Sequence, residues 1–75
     1  MAEQKILMTV LKDGEVLVLL DGRKLRVDAK DLVKSANWLP MEELEISEES
    51  NDPLYTLKVL NLEHNEEALA MWIQR

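Results

Sequence analysis

The fold is decided by residues 13–22, Asp13-Gly14-Glu15-Val16-Leu17-Val18-Leu19-Leu20-Asp21-Gly22. An apolar run lies here between two Asp-Gly pairs. Asp-Gly next to apolar runs predicts a hairpin, because a tight turn needs positive φ and glycine adopts it without steric cost. The run Val16–Leu20 is apolar on both faces, which is typical of a strand covered on both sides. The spacing of the two turns is typical of consecutive short strands in a sandwich or barrel.

Alternating side chains continue the strand pattern on both sides of this stretch. Residues 6–11 form the expected partner strand of the first hairpin, and residues 23–27 alternate with their basic side chains outward. Residues 43–47 and 55–59 alternate in the same way. The acidic loop 48–53 separates them, since its Asn-Asp-Pro sequence does not continue a central strand. These patterns predict a mainly β domain.

One short helix is expected near residues 29–36. Asp28-Ala29-Lys30-Asp31 has the form of a capping box, with Asp31 where Glu or Gln is usual. Asn37 and Pro40 end the helical pattern.

The last segment, residues 66–73, is compatible with either a helix or a strand. As a helix it has Asn65 as its N-cap and an apolar stripe on one side. As a strand it has two faces, one with Leu69, Met71 and Ile73 and an outer one with Ala68, Ala70 and Trp72.

Four short motifs appear in a fixed order: Leu20-Asp21-Gly22, Val27 followed by Asp31, Trp38-Leu39-Pro40 leading into the strand at 44–46, and a closing hairpin at 61–66. This order resembles a group of small, uncharacterised bacterial domains with SH3-like barrels. In that group Gly-Asp typically follows the proline. In this chain Met41-Glu42 stands there instead, so we expect a different turn. Asn65 stands where that group commonly has glycine, and we expect this turn to be kept, because asparagine tolerates the left-handed conformation. The resemblance implies a single SH3-like barrel over residues 1–75, with five or six antiparallel strands, and implies no activity.

Length and charge restrict the possible partners. The chain has 75 residues, a net charge of −6 and no cysteine. A domain of this size buries only about 60% of its unfolded surface, so its core is thin and no disulfide supports it. Negative charge opposes binding to nucleic acid and to anionic membranes. The longest apolar run is too short to span a bilayer and the N-terminal residues lack the basic start of a signal peptide, so we expect a cytoplasmic protein.

No set of residues indicates catalysis, a metal or a cofactor. His64 is the only histidine, and it lies in a predicted turn without an orienting partner, so we interpret it as an exposed turn residue. The acids of residues 42–52 are compatible with weak calcium binding, but their spacing does not match a calcium loop. A solvated acidic surface is the favoured interpretation. We therefore predict that the protein is not an enzyme.

The candidate protein-contact residues are Trp38, Tyr55, Met71 and Trp72. Trp38, beside Pro40, either lines a peptide groove, as aromatics do in SH3-like barrels, or plugs one end of the core. Trp72, on the outer face of a terminal strand, either forms a contact surface for a partner or a second copy, or is buried under another layer.

Charge is distributed unevenly along the chain. Residues 23–34 carry five basic side chains, whereas residues 42–67 carry nine acids against Lys58 alone. This asymmetry is suited to orienting an acidic partner or a second copy. We predict a non-catalytic protein-interaction or self-associating module. The alternative is single-stranded nucleic-acid binding through residues 23–34, which the net charge and the absence of interleaved aromatics oppose.

Overall fold

A computed structural model of the chain describes residues 2–73. Over these residues six antiparallel strands close into a barrel, and a single turn of α-helix follows a 3₁₀ turn at Ala29–Asp31. This confirms the mainly β barrel with one short helix. No helix in the described part of the chain is long and apolar enough to cross a membrane. The elements are β1 (Glu3–Leu11), β2 (Val16–Leu19), β3 (Lys24–Val27), α1 (Leu32–Ser35), β4 (Glu43–Ser47), β5 (Leu57–Asn61) and β6 (Glu66–Trp72).

Two three-stranded units make up the barrel. β1, β2 and β3 follow one another through hairpins, α1 crosses over, and β4, β5 and β6 follow in the same manner. Pairing of β1 with β4 and of β3 with β6 closes the ring in the order β1-β2-β3-β6-β5-β4. β3 and β4 consequently lie three strands apart in either direction, on opposite sides of the barrel.

The first hairpin turns around Asp13 and Gly14, as predicted, but its loop is longer than a two-residue turn. Lys12, Asp13 and Gly14 all have positive φ, at 54°, 58° and 100°. A Cβ on Gly14 would lie 2.7 Å from the backbone nitrogen of Ala36 and 2.7 Å from Ser35 Oγ. The Ser35 hydroxyl donates to the Gly14 carbonyl over 2.8 Å. Glycine is therefore required here both for the turn and for its contact with α1.

In two other turns a residue other than glycine has the left-handed backbone conformation. Met41, where the sequence suggested a different turn, has φ 73° and is therefore in a conformation that glycine adopts freely. Asn65 has φ 55°, in keeping with the tolerance of asparagine for this region. The left-handed conformation costs a residue such as Met41 roughly 1–2 kcal/mol.

The interior of the barrel is filled mainly by leucine and valine. β6 confirms the strand alternative for residues 66–72, but its faces are opposite to those predicted. Ala68 and Ala70 face the core, with 2% and 0% of their surface exposed, and Trp72 packs against the same core. Leu69 and Met71 are half-buried on the outside. The reason is volume: a six-stranded barrel has a narrow interior, which the leucines of the other strands already fill, so the small side chains of β6 must face inward.

The two ends of the barrel differ. At one end α1 and Trp38 cover the core, and the Trp38 indole nitrogen donates to Glu66 Oε1 over 2.9 Å. We call this the closed end. At the other end β1 begins, β2 turns into β3, and β6 ends at Trp72. We call this the open end, because no helix within residues 2–73 covers it.

Candidate functional site

A recess of about 340 Å³ lies at the open end. It is built by residues that are far apart in sequence, because strand ends from both three-stranded units meet there. Buried Ile46 and Leu57 provide apolar surface inside it. Ala2 also lines it, and the polar and aromatic side chains of the lining are Glu3, Arg23, Ser47, Glu48 and Trp72.

Arg23 lies over the indole of Trp72. The guanidinium carbon is 3.7 Å from the ring centroid, which is the geometry of a cation–π contact. The β2–β3 turn fixes the backbone of Arg23, whose N–H donates to Asp21 Oδ1 over 3.0 Å. Lys5 Nζ donates to Asp21 Oδ2 over 2.9 Å. The hydrogen bond from Arg23 N–H, followed by the one from Lys5, lowers the pKa of Asp21.

The charge in the recess is mainly negative. Among the described residues that line it, Glu3 and Glu48 contribute two carboxylates and Arg23 contributes the one basic side chain. Arg23 Nη1 is 3.9 Å from Glu3 Oε1, and these side chains are 48% and 57% exposed. An ion pair this long and this exposed contributes roughly 0.2–1 kcal/mol. The Glu3 carboxylate therefore holds Arg23 only weakly over the Trp72 ring, and an aromatic face with carboxylates in the same recess is an arrangement suited to a cation.

The other predicted contact residues lie outside this recess. Trp38 is 2% exposed and covers the core at the closed end, as in the second of the two alternatives given for it, and it does not line an exposed groove. Met71 is half-buried on the outer face of β6, opposite Arg26 of β3. Tyr55 is half-buried in the loop before β5, where its N–H donates to Asp52 Oδ1 over 2.8 Å. Of the four candidates, the structure places Trp72 in the recess.

The acidic residues of the region 42–52 are dispersed. Glu43 and Glu45 belong to β4, whereas Asp52 accepts hydrogen bonds from the backbone of its own loop. The bonds from the amides of Tyr55 and Leu54 lower the pKa of Asp52. Within residues 2–73 no three histidine or acidic side chains are grouped so that they could hold a metal ion.

His64 has a partner that the sequence did not reveal. Its Nε2 lies 2.8 Å from Glu42 Oε2, while Glu42 Oε1 accepts from the amide of Asn61 and the N–H of Leu39, each over 2.9 Å. Burial acts to raise the pKa of Glu42, but the hydrogen bonds from Leu39, Asn61 and His64 outweigh it and lower the pKa. Glu42 is 22 residues from His64, and no local pattern links them. Because both carboxylate oxygens already accept hydrogen bonds, we interpret this cluster as a clasp between two loops of the closed end.

The basic stretch 23–34 is divided among three places. Arg23 lies in the recess, and Lys24 and Arg26 are exposed on the outer face of β3. The two helical lysines, Lys30 and Lys34, contact the buried carboxylate of Asp31 at 2.9 and 3.3 Å. Asp31 also accepts the N–H of Leu69 over 2.9 Å, which ties the helical segment to β6. Burial acts to raise the pKa of Asp31, but these hydrogen bonds outweigh it and lower the pKa.

Comparisons of the chain with known protein families, with curated proteins and with solved structures return no match. A function for the protein must therefore be inferred from the geometry and charge of the surfaces described above.

Proposed function

We propose that this protein is a non-catalytic interaction module that accepts a basic side chain of a partner protein in the recess at the open end. The observation that carries the proposal is the position of Arg23, 3.7 Å above the Trp72 ring and 3.9 Å from the Glu3 carboxylate, in a recess that Glu48 also lines. Arg23 occupies the place that a lysine or arginine of the partner would take. The aromatic face attracts a cation, and the negative charges of Glu3 and Glu48 favour a positively charged side chain over a neutral one.

The size of the recess supports a side chain as its occupant. Pockets for drug-sized ligands measure roughly 300–1,000 Å³, so a recess of about 340 Å³ is at the low end of that range. It suits one long side chain with its neighbouring backbone. The resemblance to SH3-like domains agrees with this role, since such barrels bind peptides on aromatic-lined grooves.

A binding role is also favoured over a chemical one by the position of His64. General base catalysis requires a histidine within hydrogen-bond reach of the proton that it removes. His64 lies at the closed end, where its ring nitrogen is paired with Glu42. The recess itself is lined by Ser47 and two glutamates, without a histidine beside them.

The proposal is tested by titrating ¹⁵N-labelled protein with short peptides. One peptide contains a single arginine, and its matched control has glutamine at that position. We expect the arginine peptide to shift the indole N–H of Trp72 and the amides around Arg23, and the control peptide to shift them far less. Shifts confined to the outer strand faces, or equal shifts from both peptides, would contradict the proposal.

Variants of the recess make the test specific. Arg23→Ala removes the internal competitor, so it should strengthen peptide binding by about 2–5-fold, the equivalent of an exposed cation–π contact. Glu3→Gln and Glu48→Gln should each weaken it. Arg26→Ala, which removes an arginine from the outer face of β3, is the matched control and should leave affinity unchanged. Weaker binding by Arg23→Ala would show that Arg23 is a ligand contact rather than a competitor.

Single-stranded nucleic-acid binding is the second candidate, and one observation favours it. The fold places Trp72 against Arg23, so an aromatic ring does lie beside the basic stretch. Bases stack on such rings while neighbouring basic residues bind phosphates. A single-stranded oligonucleotide at low salt should then shift Trp72 together with Lys24 and Arg26. The glutamates of the recess and the net charge of −6 make the basic peptide the preferred ligand.

A further inference from the structure

Opposite charges lie on opposite sides of the barrel. Side chains alternate along β3: Leu25 and Val27 are buried, so Lys24 and Arg26 point outward. β4 presents Glu43 and Glu45 outward, because Leu44 and Ile46 are buried. Since β3 and β4 are three strands apart around the ring, these two faces point away from each other. We call them the basic face (Lys24, Arg26) and the acidic face (Glu43, Glu45).

These four charges lie apart from the ion pairs that residues 2–73 form. Among the described residues, none of the four takes part in an ion pair, in contrast to Lys30 and Lys34, which contact Asp31. Lys24, Arg26 and Glu43 are exposed, whereas Glu45 is half-buried. Their charges are therefore available to a second molecule.

The two faces match in the spacing of their charges. Each pair of charges is two residues apart on one strand, which places both pairs at the same separation, about 6.6 Å. In register with Arg26 are Val16 of β2, which is buried, and Met71 of β6, which is half-buried. In register with Glu43 is Ile6 of β1, and in register with Glu45 are Gln4 of β1 and Leu60 of β5.

We propose that the basic face of one copy of this protein binds the acidic face of a second copy. The contact goes beyond the proposed function, because it uses the outside of β3 and β4 and leaves the open end accessible. It joins two different surfaces, so it is a head-to-tail contact that yields short chains or rings rather than a closed twofold dimer. Exposed ion pairs are weak and each copy is negatively charged, so association requires high protein concentration.

A charge-swap experiment tests this contact. Lys24→Glu/Arg26→Glu makes both faces acidic, and Glu43→Lys/Glu45→Lys makes both basic. Sedimentation velocity at low millimolar concentration should show association of the wild-type chain and about tenfold weaker association of either variant alone. A mixture of the two variants should associate again, because each basic surface then meets an acidic one.

Control variants distinguish the effect of the proposed contact on association from the effect of net charge. Lys12→Glu and Glu49→Lys/Glu63→Lys change the net charge at positions outside β3 and β4 and should associate as their net charge dictates. Glu43→Lys/Glu45→Lys makes the chain less negative, so repulsion alone predicts stronger association of this variant than of the wild type. Folding of each variant is checked by its amide spectrum.

Three results would overturn the proposal. These are a wild-type chain that stays monomeric at millimolar concentration, a mixture that associates no more than its components, and controls that behave like the face variants.

Discussion

Replacing Gly14 by alanine tests how the first hairpin supports the closed end. Gly14 is buried, has φ 100° and has its carbonyl bonded to the Ser35 hydroxyl. A methyl group there would lie 2.7 Å from both the Ala36 backbone nitrogen and Ser35 Oγ. The chain offers a matched control in Gly22, which has a similar φ of 95° but no atom within 4 Å of the added methyl.

The loss of stability at Gly14 is the sum of two costs, that of the left-handed backbone conformation and that of the clash of the added methyl group. Positive φ costs alanine roughly 1–2 kcal/mol at either position. Overpacking adds about 1–3 kcal/mol, and only at Gly14. We expect Gly22→Ala to lower the free energy of unfolding by about 1–2 kcal/mol and Gly14→Ala to lower it by about 2–5 kcal/mol. The entropy that alanine removes from the unfolded chain is the same for both and cancels in their difference.

Urea denaturation of the wild type and the two variants measures these values. A domain of this length has a free energy of unfolding of roughly 4–11 kcal/mol, so Gly14→Ala should remove a large fraction of it. The midpoint should fall while the slope of the transition stays constant. Equal destabilisation by the two substitutions would refute the inference that the turn packs tightly against α1.

Three further predictions concern stability. Met41→Gly should stabilise the domain by about 0.5 kcal/mol, because relief of the left-handed strain slightly exceeds the entropy cost of glycine; a lower melting temperature would contradict this. Ala70→Leu should cost about 1–3 kcal/mol by overpacking the narrow interior, whereas Leu69→Ala on the outer face should cost less, as measured by urea denaturation. The hydrogen bonds that lower the pKa of Glu42 stabilise the folded state above the unfolded pKa of glutamate, and this contribution should be lost as pH falls through the folded pKa. Glu42→Gln should flatten that acid-side loss in thermal melts, and an unchanged pH profile would refute the assignment.

The strands and turns of the first half could be predicted from local sequence. The two Asp-Gly pairs, at Gly14 and Gly22, adopt positive φ and turn the chain, and the alternation in residues 23–27 gives a half-buried β3. Asp28 accepts the N–H of Lys30 at the start of the helical segment, as a capping residue does. Each of these features depends on residues close in sequence, so short patterns were sufficient.

The structure of residues 66–72 could not be predicted in this way. The local sequence is compatible with either a helix or a strand there, and pairing with β3 and β5 makes it a strand. Pairing with distant strands decides between the two, because a closed barrel leaves no sheet edge unsatisfied. The same closure decided which face of β6 is inside, and this moved Trp72 from a predicted outer surface into the recess.

The sequence by itself determined where the first half of the chain turns, which of its segments are extended and that a short helix follows them, since turn chemistry and a two-residue period are local properties. Only the tertiary structure decided the candidate site. Glu3, Arg23, Glu48 and Trp72 meet at the open end because the ring closes between strands far apart in sequence, and the limited volume inside that ring determines which side chains point inward.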